Sequence, residues 1–154
     1  MTILAKYIFS FLFSINISAG ANSGCLVTKV VDGDTFHCKY QDTLIIVRLL
    51  GVDTPELHHP KKSIQCFANE AKVFTESQIL GKKVKLSFEG PMQDRYERFL
   101  AWTTYGNKKN LSFELVKNGY GVVYTKYPTS KMPYMLQLER KAKAELKGIW
   151  GSCR

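Results

Sequence analysis

Apolar and polar residues alternate over five short stretches of the chain, which is the pattern of strands with one buried face. Turn residues separate the first two stretches, because aspartate and glycine in Asp32-Gly33-Asp34 both favour a tight hairpin turn. We therefore predict three consecutive strands, followed after an interval by two more. Their predicted bounds are residues 26–31, 35–40, 43–50, 84–89 and 99–105.

Three other segments carry apolar residues at helical spacing. Asn110 is a good cap for the second of them, and Gly81 and Gly148 end the first and the third. The order β-β-β-α-β-β-α-α is typical of an α+β fold, namely a five-stranded OB-fold β-barrel with three helices. The predicted helices span about residues 67–81, 110–119 and 133–148, and the apolar stripe of the last is Met135, Leu138, Ala142 and Leu146.

The segment from Arg48 to Glu56 places an arginine and two carboxylates at the end of the third predicted strand. Arg48 lies among apolar residues, where a guanidinium is costly unless an anion meets it. Asp53 and Glu56, on either side of Pro55, are expected to turn toward the same region. One arginine and two carboxylates suit a divalent metal beside a phosphate. Asp34 joins them if the strands form one curled sheet.

The first 21 residues have the features of a removable signal peptide. Lys6 is a lone positive charge, residues 7–17 are largely apolar, and Ala19-Gly20-Ala21 resembles a cleavage site. The apolar run is too short to favour a membrane-spanning helix. We therefore expect one domain over residues 22–154, secreted or periplasmic, without membrane attachment after cleavage.

The chain is strongly basic. It has 22 Lys and Arg against 13 Asp and Glu, and removal of Lys6 leaves 21 against 13, a formal charge of +8. Such a charge favours polyanionic partners, namely nucleic acid or an anionic membrane surface, although it also aids solubility.

Four cysteines follow the leader: Cys25, Cys38, Cys66 and Cys153. An even number in an exported chain favours disulfides, and the Cys-x-x-Cys spacing of zinc sites is absent. Cys25 and Cys38 fall on neighbouring strands near the open end of the hairpin, which suggests one bridge. A lipid on Cys25, which follows the small residues 23–24, and buried free thiols are the alternatives.

Several spaced motifs together resemble the staphylococcal nuclease (thermonuclease) family. The resemblance covers roughly residues 26–150, nearly the whole expected mature chain. Its motifs are Asp32-Gly33-Asp34-Thr35, then Arg48-Leu49-Leu50 with Val52-Asp53-Thr54-Pro55-Glu56, then His59-Pro60-Lys61-Lys62, and Tyr96 with Arg98 and Leu100-Ala101.

The resemblance implies a calcium-dependent phosphodiesterase that cuts DNA and RNA, single-stranded or locally opened, and leaves 3′-phosphates. Asp34 and Asp53 would bind the calcium ion together with the Thr54 carbonyl, because calcium prefers oxygen ligands in flexible geometry. Magnesium and manganese are the alternative ions. Arg48 and Arg98 would grip the scissile phosphate from two sides. No stable protein partner is implied, and a monomer is expected.

Glu56 would orient or deprotonate the attacking water. The other substrate contacts that the resemblance and the loop charges suggest are Tyr96, Tyr127, Lys61 and Lys62. Bases stack on aromatic side chains without sequence preference, which suits the two tyrosines. For Tyr124 we predict core packing.

Two features depart from the best-known member of that family. Glu97 replaces a glycine beside Arg98, where it would pair with the arginine or weaken substrate binding, and Arg95 replaces a lysine and would offset that charge. The cysteines have no counterpart, so the Cys25–Cys38 and Cys66–Cys153 pairings rest on position alone.

Two other function classes remain open at this point. The first is a catalytically inactive OB-fold protein that binds nucleic acid, and the second is a basic protein that binds a partner protein or a membrane surface. The carboxylates Asp34, Asp53 and Glu56 favour an enzyme, because a protein that only binds nucleic acid needs basic and aromatic residues rather than metal ligands.

Overall fold

The computed structural model describes residues 24–57 and 64–153. Eight strands and four helices follow one another along these ranges. In chain order they are β1 (Cys25–Val30), β2 (Thr35–Tyr40), β3 (Thr43–Leu49), β4 (Val52–Asp53), α1 (Ala68–Ile79), β5 (Lys83–Gln93), β6 (Phe99–Tyr105), β7 (Lys109–Asn110), α2 (Leu111–Lys117), β8 (Val122–Val123), α3 (Met132–Ala144) and α4 (Ile149–Ser152).

Five of these strands form a closed barrel. They are hydrogen-bonded in the order β3-β2-β1-β5-β6, and β3 also pairs with β6 in parallel, which closes the sheet. In that closing pair Arg48 lies opposite Leu100. The predicted OB barrel is therefore confirmed. The two-residue strands β4, β7 and β8 were not predicted, because a periodic pattern cannot show in two residues.

The barrel interior is filled by the apolar residues of the alternating strands. Phe36 and Val47 are fully buried between the sheet and the helices, as is Trp102 at 1% exposure. Helix α2 begins where predicted, with the Asn110 side chain accepting a hydrogen bond from the Phe113 N–H. Strand β5 extends to Gln93, beyond the predicted end at residue 89.

The predicted apolar stripe of the last helix is wrong at its end. Leu146 is 68% exposed, because α3 ends at Ala144 and Leu146 has a left-handed φ of 51° that leaves the helical spacing. Glu139 instead lies on the buried face of α3, where its carboxylate accepts hydrogen bonds from the Val123 N–H and from Lys143. These bonds meet the requirement that a buried charge be paired.

Both predicted cysteine pairs are disulfide-bonded in the structure. Cys25 and Cys38 join β1 to β2 with Cα atoms 5.5 Å apart. Cys66 and Cys153 join the segment before α1 to the residue after α4, with Cα atoms 5.8 Å apart. The second bridge therefore ties the end of the described chain to the start of the first helix.

None of the helices in residues 24–57 and 64–153 is long and apolar enough to cross a membrane. The predicted signal peptide, residues 1–21, lies outside the described residues, as do Lys61 and Lys62.

Candidate active site

The hairpin turn between β1 and β2 carries a buried carboxylate into the centre of the site. Asp34 is 4% exposed, and its Oδ2 accepts hydrogen bonds from the Thr54 N–H at 2.8 Å and the Thr54 hydroxyl at 3.0 Å. Its Oδ1 accepts from the Thr35 hydroxyl and lies 3.1 Å from Arg48 Nε. The turn and the segment after β3 are therefore joined through one side chain, as the sequence predicted.

Arg48 lies between two carboxylates. Its Nη2 donates to Asp53 Oδ1 at 2.7 Å, while its Nε faces Asp34. Its Nη1 donates to the carbonyls of Leu49 and Val52 at 2.8 and 2.7 Å. The guanidinium is thus compensated in a nearly buried position, where its side chain is 12% exposed.

Negative charge exceeds positive charge around this arginine. Burial raises the pKa of Asp32 to about 7, and the adjacent Asp34 raises it further than Arg48 lowers it. Burial also raises the pKa of Asp53 despite the opposing effect of Arg48, and the charges of Asp34 and Glu56 act in the same direction as burial. Two carboxylates, Asp34 and Asp53, therefore contact one guanidinium, and Asp32 and Glu56 lie close to them in sequence, which is an environment that favours a bound cation.

Two glycines allow the loops of the site to approach each other closely. A Cβ atom on Gly33 would lie 2.8 Å from the Thr54 side chain and 2.9 Å from the Cβ of Ala71 on α1. A Cβ atom on Gly121 would lie 2.8 Å from the carbonyl oxygen of Asp53. Any larger residue at either position would push the Asp34 or the Asp53 segment away from the site.

Glu56 projects from the outer side of this cluster. Its side chain is exposed, whereas its backbone is held by Gln65, which accepts from the Glu56 N–H at 2.9 Å. Glu56 follows Asp53 by three residues, and no hydrogen bond or ion pair joins its carboxylate to Arg48 within the described residues. Its role at the attacking water stays a prediction.

Arg98 is bound by Asp94 rather than by Glu97. Its Nε and Nη2 lie 2.8 and 2.7 Å from Asp94 Oδ2, and Asp94 also accepts from the Arg98 N–H. Glu97 occupies the turn before β6 with a left-handed φ of 62°. The predicted pairing of Glu97 with Arg98 is therefore wrong, because the short turn directs Asp94 back toward the arginine.

Arg98 directly precedes β6, whose first residue, Phe99, pairs with Val47 of β3. Since Arg48 pairs with Leu100 in that parallel register, Arg98 is two positions from the strand neighbour of Arg48. No hydrogen bond or ion pair joins the two arginines to a common group within the described chain. The predicted pair of phosphate-binding arginines is thus placed on the same edge of the barrel but not in one contact network.

Two aromatic groups border the arginines. The Tyr96 ring is 61% exposed and lies between Arg95 and Arg98, whose guanidinium carbons are 4.7 and 5.3 Å from its centre. On the other side, Arg48 lies 5.9 Å from the ring centre of Tyr124, which is tilted against Tyr127 at 5.9 Å.

Tyr124 lies next to Arg48, although the sequence favoured core packing for it. Its ring is only partly buried and contacts Arg48, so the predicted core packing is wrong. Its backbone N–H donates to the Gly51 carbonyl, which fixes the residue beside the end of β3. No sequence signal distinguishes it, because an aromatic residue after a short strand is more often part of a core.

The donor chemistry of the cluster fits a hard divalent cation. Asp34, Asp53 and the Thr54 carbonyl would supply three oxygen ligands, and calcium completes its shell with water and substrate oxygens. Within residues 24–57 and 64–153, no set of three or more His, Cys, Asp or Glu side chains is arranged to hold a metal. A cation here would therefore depend on two carboxylates and on backbone and solvent oxygens.

A carboxylate pair and a nearly buried arginine at one edge of an OB barrel bring together groups that suit a divalent cation and a phosphate. Residues 46–152 match the family described as Staphylococcal nuclease homologue. The chain belongs to this family. Its domain is therefore a nuclease, and its substrate is nucleic acid.

Individual relatives agree with this assignment. The thermonuclease of Staphylococcus hyicus is 32% identical over 127 residues, covering 82% of this chain and 75% of the relative. An uncharacterised endonuclease of Haemophilus influenzae is 37% identical over 127 residues, covering 82% of this chain and 65% of the relative. An uncharacterised protein of Methanocaldococcus jannaschii is 36% identical over 145 residues, covering 80% and 70% respectively.

Proposed function

We propose that the whole protein is an exported, calcium-dependent nuclease that hydrolyses DNA and RNA and leaves 3′-phosphates. The observation that carries this proposal is the bridging of Asp34 and Asp53 by Arg48. It places two potential metal ligands and one phosphate-binding group in a single small cluster. A catalytically inactive relative would have no need of this excess of carboxylates.

Arg48 would bind the scissile phosphate through the part of its guanidinium that the protein leaves unbound. A guanidinium has five N–H donors. Three of them are taken by Leu49, Val52 and Asp53, and Nε faces Asp34, which leaves one N–H on Nη2. Since charge grows on the phosphate oxygens during attack, a fixed donor at this position stabilises the transition state more than the ground state.

Arg98 would bind the same phosphate from the β6 side. Asp94 Oδ2 accepts from Nε and Nη2 of Arg98, so Nη1 remains available. The Asp94 contact also fixes the plane of the guanidinium, so the Arg98 side chain loses less conformational entropy when a phosphate binds. The two arginines would then contact the substrate from different strands of the same barrel.

Glu56 would act on the attacking water. Its exposed carboxylate, three residues after Asp53, has no hydrogen-bond or ion-pair partner among the described residues, so it can accept a hydrogen bond or a proton from water. Asp34, Asp53 and the Thr54 carbonyl would hold the calcium ion. When bound, that ion would neutralise charge on the phosphate and lower the pKa of a bound water.

Aromatic and basic side chains would hold the flanking nucleotides. Tyr96, which is 61% exposed, offers a stacking surface with the positive charges of Arg95 and Arg98 within 5.3 Å of its ring centre. Tyr127, which is 64% exposed, offers a second one. Lys61 and Lys62 would contact the phosphate backbone.

Export is proposed from the leader at residues 1–21, followed by the nuclease domain at 22–154. Two disulfides support an oxidising compartment, secreted or periplasmic. The mature protein would act as a monomer.

The proposal is tested by incubating the purified mature protein with plasmid DNA, denatured DNA and RNA. We expect cleavage with calcium, none with a calcium chelator, and recovery when calcium is restored. Parallel reactions with magnesium and manganese identify the ion, and removal of the product end groups by a 3′-phosphatase identifies the cleaved bond. Binding without cleavage at any pH up to about 10 would support the inactive OB-fold alternative instead.

A further inference from the structure

Among the described residues, Gln65 is the one that hydrogen-bonds to the main chain of Glu56. The Glu56 N–H donates to Gln65 Oε1 at 2.9 Å, and the Glu56 carbonyl accepts from the Gln65 N–H at 3.2 Å. The Glu56 side chain is exposed, and no hydrogen bond or ion pair to the described part of the chain restrains it. The position of its carboxylate therefore depends on where its backbone is held.

Gln65 is fixed in turn by its own neighbours. Its carbonyl accepts a hydrogen bond from the Ala68 N–H at the start of α1. The next residue, Cys66, is bonded to Cys153. Gln65 is thus held by the first turn of α1 through its carbonyl and by the disulfide of the adjacent Cys66.

The other end of that bridge is anchored near the site as well. The Cys153 N–H donates to the Ile149 carbonyl, and the Ile149 N–H donates to the Gly119 carbonyl at 2.9 Å. Gly119 lies two residues before Gly121, which packs against the Asp53 carbonyl. A chain of contacts therefore runs from the Asp53 segment through the disulfide to the backbone of Glu56.

We propose that Gln65 is a positioning residue for the Glu56 carboxylate and that the Cys66–Cys153 disulfide keeps Gln65 in place. This inference rests on the role of Glu56 in the proposed function. A glutamine suits the position, because its amide oxygen accepts the Glu56 N–H bond without adding a further negative charge beside Asp53. Neither Gln65 nor the bridge contacts the reacting atoms.

Gln65→Ala removes the acceptor and keeps the main-chain N–H. We expect kcat to fall about tenfold, because displacing a catalytic group by about 1 Å costs up to about a hundredfold. KM should stay within about twofold, because the substrate-binding arginines Arg48 and Arg98 are untouched. Gln65→Glu restores an acceptor oxygen and should return kcat to within about threefold of wild type at alkaline pH. A rise in KM without a change in kcat would overturn the assignment.

A double-mutant cycle tests whether Gln65 acts through Glu56. In a Glu56→Ala background, Gln65→Ala should change the residual kcat by less than about twofold, because the group that it positions is absent. A tenfold loss in both backgrounds would show that Gln65 acts on something else.

The bridge is tested with two matched double variants. Cys66→Ala with Cys153→Ala should lower kcat in the same way as Gln65→Ala. Cys25→Ala with Cys38→Ala removes the other disulfide, which joins β1 to β2, and should leave kcat unchanged well below its melting temperature. Equal losses of kcat in both double variants would mean a general loss of order and would overturn the role of the Cys66–Cys153 bridge.

Hydrogen exchange supplies a readout that needs no activity. The Glu56 amide should exchange slowly in the wild type and faster in Gln65→Ala. If the wild type does not cleave nucleic acid, the proposed function fails, while this exchange still tests the contact. A Glu56 amide that exchanges freely in the wild type would overturn the inference in either case.

Discussion

The Arg48 guanidinium lies 2.7 Å from the carboxylate of Asp53, five residues further along the chain. The same guanidinium lies 3.1 Å from Asp34, which belongs to the preceding hairpin. One side chain therefore fixes the distance between the two potential metal ligands.

Replacing Arg48 by lysine should remove most of the activity. Lysine keeps the charge but loses the fork that contacts Asp34 and Asp53 together. Loss of one donor of this kind typically costs about a hundredfold to a thousandfold in kcat. The rate is measured on a defined oligonucleotide with saturating calcium. Arg140→Lys, on the exposed side of α3, is the matched control and should cleave at the wild-type rate. An Arg48→Lys variant that cleaves as fast as the control would show that Arg48 does not take part in cleavage.

Replacing Glu97 by glycine should stabilise the protein and improve substrate binding. Glu97 has a left-handed φ of 62°, which glycine adopts without strain, so we expect a gain of about 0.5 to 1 kcal/mol in the free energy of unfolding. Glu97→Gln removes the same charge but keeps the strained backbone. It should therefore lower KM as Glu97→Gly does, without the thermal gain. Equal thermal shifts in the two variants would contradict the backbone explanation.

Reduction of the disulfides should lower thermal stability. The Cys66–Cys153 bridge spans 87 residues, and closing a loop of this size is expected to contribute about 4 to 5 kcal/mol through the unfolded state. Melting is compared with and without reductant by calorimetry. In the Cys66→Ala/Cys153→Ala variant, reductant should produce a smaller drop, because Cys25–Cys38 closes a shorter loop. A melting temperature that does not change with reductant would contradict the contribution of both bridges.

Stability should fall at acid pH through Glu89. The Ser130 backbone N–H, followed by the Trp102 indole N–H, holds the pKa of Glu89 below its ordinary value of 4.5. A lowered pKa in the folded state means that the contribution is complete above pH 4.5 and is lost as pH falls through the folded-state pKa.

The test compares melting temperatures of wild type and Glu89→Gln between pH 7 and about pH 3. The difference between them should shrink as the pH falls. Ser130→Ala removes the hydroxyl but keeps the backbone N–H, so it should preserve most of the pH dependence. A difference that stays constant down to the lowest pH would show that Glu89 contributes nothing through its charge.

The sequence predicted the barrel and the centre of the site because both depend on local patterns. Alternation located the long strands, and the cost of an arginine among apolar residues pointed to a carboxylate partner for Arg48. The structure places Asp34 and Asp53 at that position. Their contact follows from one hairpin turn and one strand end, which are short-range features.

The missed residues depend on how distant segments meet. Gln65 reaches Glu56 through the return of the chain to α1 and the bridge to Cys153, which no local pattern shows. Asp94 was overlooked because Glu97 is adjacent to Arg98 in sequence, although the turn brings residue 94 closer in space. The sequence could have predicted the contact between Asp94 and Arg98, because side chains four residues apart can meet across a tight turn.

In the proposed function, Asp34 and Asp53 hold the cation on which cleavage depends. Single-turnover cleavage of one oligonucleotide, measured against calcium concentration for wild type and Asp53→Asn, tests it most directly. We predict a saturable calcium dependence for the wild type, and for Asp53→Asn a shift to at least about tenfold higher calcium with a lower maximal rate. Wild-type cleavage that continues unchanged in excess chelator, or an Asp53→Asn variant with the wild-type calcium curve, would contradict the claim.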